Sequence, residues 1–128
     1  MITMTVDMLK PEQFIHESRT WLRLLDFLKQ ENTVLKNRLA EVLDHESSKE
    51  FLAQAEHYQN LFIIKDEFID ELRHDVNVQV QSLTAKFNGK LDEKMLKKQE
   101  KLRNEMEYME KDFTKLKNDF NRYLATSF

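Results

Sequence analysis

The chain has 128 residues, one glycine, one proline and no cysteine, with 34% charged residues and a formal net charge of -3. That length suits one domain, and the lack of cysteine excludes disulfides and thiolate metal sites. No run approaches about 18 consecutive apolar residues, which excludes a membrane-crossing helix, and no basic start with an apolar core marks a secretory leader. A cytoplasmic protein is the expectation that follows. A mean hydropathy of -0.67 would suit a disordered chain, but the apolar residues here are strongly periodic, as in helices that pack.

Residues 1–10 alternate apolar and polar side chains (Ile2, Met4, Val6, Met8), without a second strand to pair with. They read as a flexible N-terminal arm preceding a single helical domain over 11–128. Pro11 fits the first turn of a helix, where its missing N–H costs nothing. Helix 1 is expected over 11–44, with the seam Phe14, Ser18, Trp21, Leu25, Leu28, Asn32, Leu35, Leu39 and Val42. Leu22, Leu24 and Phe27 widen that stripe between 21 and 28.

Ser47 and Glu50 have capping-box spacing and open helix 2, expected over 48–87. Its seam is Phe51, Ala55, Tyr58, Phe62, Lys65, Ile69, Leu72, Val76, Val80, Leu83 and Phe87. The step from Val76 to Val80 is a stutter, and a kink is expected near His74 and Asp75. Leu61, Ile64 and Phe68 form a second stripe, as suits a helix between two neighbours. Asn88 and Gly89 end the helix, with Gly89 expected in the left-handed conformation.

Asp92 caps helix 3, expected over 92–124. Its seam is the sharpest of the three: Met95, Gln99, Leu102, Met106, Met109, Phe113, Leu116, Phe120 and Tyr123. Short breaks make antiparallel neighbours. The fold class is therefore all-α, an elongated antiparallel three-helix bundle or coiled coil, with room for assembly as a homodimer. Folded at the two breaks, segments 21–28, 64–71 and 106–113 converge on one thick layer. Gln99 comes near Gln79, Asn32 near Gln59 and Asn60, and Arg103 and Lys111 face the acids of 56–75.

For function, no Gly-rich phosphate loop, metalloprotease His pair or recognisable nucleophile is present, so no enzyme is expected. Asn32 followed by Leu35 resembles the Asn-Leu step of leucine zippers, in which an inward amide sets register. Glu71 to His74 has the Glu-x-x-His spacing of di-iron carboxylate bundles, but those need two such pairs and two further carboxylates. His57 lies closer to the core and has no partner, so neither metal nor cofactor is expected. Between 86 and 103, seven bases stand against three acids. Lys90, Lys94, Lys97, Lys98 and Lys101 are thus candidates for anion contact, although nucleic acid is disfavoured without interleaved aromatic residues. The expected role is a non-enzymatic structural or protein-interaction module, with self or another helical protein as partner. Met95, Gln99, Leu102 and Asn32 are the expected interaction residues, because the stripe is thinnest there. The alternatives are a metal- or ligand-binding bundle, an anionic-surface binder through Lys90 to Arg103, and a holdase-like chaperone.

Overall fold

A computed structural model describes residues 10–45, 48–86 and 89–127. The arm (residues 1–9), Ser47, Phe87 and Asn88 lie outside the described residues. Three long helices pack against one another: α1 (Pro11–Leu43), α2 (Lys49–Ala85) and α3 (Glu93–Ser127). Their 33, 37 and 35 residues make rods of about 50–55 Å at 1.5 Å per residue. No strand occurs among the described residues, and α2 runs unbroken through His74 and the alternating Val76, Val78 and Val80. The helix is not interrupted at His74 and Asp75, where the kink was expected. Flanking helical turns override the β-branched propensity of that segment.

Each helix start has a local cause. Extended Lys10 leads into Pro11 at the first turn of α1. The Ser48 hydroxyl, one residue beyond the expected cap, accepts from the Phe51 N–H at 3.3 Å. The Asp92 carboxylate accepts from the Met95 N–H at 2.8 Å, as its position implied. Gly89 departs from expectation because its backbone is not left-handed. Instead, α2 ends through two tight turns, from the Lys86 N–H to Leu83 O (3.1 Å) and from the Gly89 N–H to Lys86 O (2.8 Å). The helix has stopped before the glycine is reached.

On α3, every seam position from Met95 to Phe120 is buried and Tyr123 is half-buried. Two corrections apply on the other helices. Ile15 takes the buried position assigned to Phe14, and Gln79 that assigned to Val80. With Gln79 inward, α2 keeps alternating steps of three and four, so the stutter disappears. The main core joins Trp21, Leu25, Ile69, Met106 and Phe113 as anticipated. It continues into an aromatic end, where Phe62 meets Phe120 edge-on at 5.0 Å and Tyr58 stacks on Tyr123 at 5.0 Å. The Tyr123 hydroxyl donates to Phe51 O at 2.9 Å.

The second stripe of α2 is covered only in part: Leu61 packs against the main core. Ile64 and Phe68 stay 45% and 52% exposed, because α1 and α3 both lie against the main seam. Phe62 and Phe68 therefore make a clean contrast. Phe62→Ala, at a fully buried site, is expected to cost about 3–5 kcal/mol in urea unfolding. Phe68→Ala is expected to change stability by less than about 0.5 kcal/mol.

Candidate interaction surface

The four residues expected to meet a partner all face inward: Met95 is nearly buried, and Gln99, Leu102 and Asn32 are fully so. Gln99 belongs to a polar layer with one residue from each helix, Ser18, Gln79 and Gln99. The Gln99 amide nitrogen donates to the Glu17 carboxylate at 2.8 Å and to the Ser18 hydroxyl at 3.1 Å. Its carbonyl accepts from Gln79 Nε2 at 3.2 Å, and Gln79 also donates to Met95 O at 3.1 Å. The proximity of Gln79 and Gln99 is as expected. Arg103 grips Glu17 through two bonds, at 3.0 and 2.7 Å, and so turns to α1 rather than to the acids of α2. This layer separates the main core from a smaller cluster of Ile15, Leu83, Leu91 and Met95.

Asn32 does not pair with Gln59 or Asn60. Its amide donates to Phe62 O and to the Asp66 carboxylate, both at 2.8 Å, and Asp66 is also held by Lys36. The Asn32 carbonyl oxygen is buried with no hydrogen-bond partner among the described residues. Two acids of α2, Asp66 and Asp70, are met from α1 by Lys36 and Lys29, and Arg73 of α2 pairs in the other sense with Asp26 of α1. Long side chains lean toward their own helix N-terminus, which brings these antiparallel edges together.

The open surface lies on the far side of α2. A groove of about 800 Å³ runs between α2 and α3, with Leu72 and Met109 at its base. Phe68, Glu71 and Asp75 stand on its α2 wall, and Lys97, Lys101 and Tyr108 on its α3 wall. Tyr108 is 70% exposed. At one end, Lys65 occupies a seam position and pairs with Asp112, while burial lowers its pKa from the ordinary 10.5. Of the second stripe of Leu61, Ile64 and Phe68, read from the sequence as a face for a second neighbour within the bundle, Phe68 lines this groove. Tyr108 gave no signal, since it lies between seam positions.

The basic run is divided by the fold. Lys97 and Lys101 reach the groove, Lys90 and Lys94 are exposed, and Lys98 is half-buried. Lys101 lies 3.8 Å from Glu105. Glu71, His74 and His57 are all exposed on α2, so His57 is farther from the core than its position suggested. No group of three His, Asp or Glu side chains converges among the described residues. No described helix is long and apolar enough to cross a membrane. No protein-family model, characterised protein or solved structure shows a significant match to this chain.

Two outcomes follow from the polar contacts. Gln99→Leu leaves Gln79 and Ser18 short of a partner, and is expected to cost about 1–3 kcal/mol in chemical denaturation. The triple replacement Ser18→Ala, Gln79→Leu and Gln99→Leu is expected to recover to within about 1 kcal/mol of the parent or better. Acid has a separate effect. Burial, the largest single influence, raises the Glu17 and Asp66 pKa values, but the opposing contacts together outweigh it and hold both below their ordinary 4.5 and 3.8. For Glu17 these are Arg103 and Gln99; for Asp66 they are Lys36, Asn32 and Lys29. Groups lowered in the folded state contribute stability above their ordinary values and lose it as pH falls through the folded ones. The melting temperature should therefore fall below about pH 4.5, and less steeply in Glu17→Gln.

Proposed function

We propose that this chain is a non-enzymatic protein-interaction module that receives a helix in the α2/α3 groove. The observation that carries this reading is the exposed aromatic pair of the groove, Phe68 and Tyr108. Phe68 on one wall of the groove and Tyr108 on the other remain exposed although the main seam is closed by the chain's own helices. Exposed apolar side chains grouped beside charged walls are what a helix-binding groove offers. Full burial of one Phe contributes about 1.5–3 kcal/mol, so two aromatic anchors supply useful affinity without any change in the bundle. The lack of cysteine suits a cytoplasmic setting, where such contacts form under reducing conditions.

A phage-displayed library of helical peptides tests this reading. The expected binders are amphipathic, with apolar anchors three and four residues apart. Amide-exchange protection on binding should map to the segment around Ile64 and Phe68 and to Tyr108. Phe68→Glu should weaken them at least about tenfold while leaving the far-ultraviolet dichroism unchanged. Binders that protect another face, or that ignore Phe68→Glu, would count against the groove.

A further inference from the structure

The charges lining the α2/α3 groove do not cancel, and the surplus bears on what the groove receives. Five acids and three bases stand around it. Two of the bases are already engaged within the chain, since Lys65 pairs with Asp112 and Lys101 lies 3.8 Å from Glu105. That leaves Glu71 and Asp75 on the α2 wall and Glu100 on the α3 wall, set against Lys97 alone. Arg103, one turn from Glu100, is committed to Glu17. The Gln79–Gln99 bond and the Lys65–Asp112 pair fix the levels of the two walls, so Phe68 stands near the level of Tyr108 and Asp75 near that of Glu100. On each helix the aromatic ring and the carboxylate lie about two turns apart, roughly 10–12 Å. The groove therefore has an aromatic part and, two turns along, an acidic one, with Leu72 and Met109 as its floor.

From this arrangement we infer that the groove takes a cationic amphipathic helix of another protein, anchored by an apolar side chain between Phe68 and Tyr108 and by Lys or Arg over the acidic part. The inference rests on the interaction reading above and states the chemistry of the partner. Helix positions seven apart share one face, so an apolar anchor and a base two turns from it reach both parts of the groove at once. Three carboxylates set against one ammonium attract such a base and speed its encounter with the groove. The Tyr108 ring, 70% exposed, also offers its face to a guanidinium or ammonium. An acidic helix would set like charges side by side along the same walls, which is how the groove would select between two helices of equal apolar content.

The test compares two labelled helical peptides of about 20 residues by fluorescence anisotropy on the full chain. Both carry leucines three and four residues apart, and they differ only in having lysine or glutamate on the flanking positions. The lysine peptide is expected to bind at least about tenfold more tightly, with an affinity that falls as salt is raised. Glu71→Lys with Asp75→Lys should reverse the order of the two peptides. Glu56→Lys with Glu67→Lys makes the same change in net charge at exposed positions of α2 away from the groove, and should leave the order unchanged. Circular dichroism checks that each variant keeps its helices. If the two double reversals act alike, the attraction belongs to the whole chain and the inference is overturned. If the glutamate peptide binds as well as the lysine one, the cationic partner is overturned, while weakening of both by Phe68→Ala keeps the groove reading. If neither binds, the cationic partner again falls, and the helical library decides the groove by itself. A dimer of the free chain that Phe68→Glu dissolves, seen by sedimentation equilibrium, would put a second copy in the groove and overturn the inference as well.

Discussion

The buried amide layer at Gln99 is the constraint on which the rest of this bundle depends. Long helices with heptad seams have a register problem, because each apolar layer resembles the next and a slide by seven residues costs little. Ser18, Gln79 and Gln99 remove that degeneracy. At this one level each helix presents a polar side chain inward, and their bonds are satisfied together. Sliding any helix by a heptad would bury these groups against leucine, methionine or isoleucine, leaving unpaired amides at about 1–3 kcal/mol each. Glu17 and Arg103 extend the layer to the surface and tie α1 to α3. Asn32, Asp66 and Lys36 form a second polar clamp between α1 and α2.

With register set in this way, the two apolar stripes of α2 separate into different roles. The main stripe, from Phe51 to Leu83, closes against α1 and α3. Ile64 and Phe68 of the second stripe stay exposed, and Phe68 lines the groove. That exposed apolar surface is the basis on which an interaction role is proposed. The lysines at the start of α3 gain meaning from the same geometry. Of these, Lys97 and Lys101 stand on the α3 wall of the groove beside Glu100 and Glu105.

Much of this architecture could be read from the residues in order. The seam of α3 lies where its four-and-three spacing put it, the helix limits agree within a few residues, and the antiparallel order follows from short breaks. Even the meeting of Gln79 and Gln99 follows from folding the chain at those breaks, although Val80 had been assigned the seam. Hydrophobicity favours Val80 over its polar neighbour, and that choice fails because Gln79 finds its partners on α3. The same limit explains Asn32, whose partners are a backbone carbonyl and Asp66 rather than nearby amides, and Arg103, which turns to Glu17.

By itself, then, the sequence determined that the chain makes three long helices, where each begins, and which broad face of each is apolar. These depend on local capping, helix period and loop length, all carried within a few turns of chain. Only the tertiary structure decided whether Ile15 or Phe14 goes inside, which polar groups pair across helices, and that the Phe68 stripe remains open. Periodicity locates a face to within about a third of a turn, whereas burial depends on where two neighbouring rods actually lie.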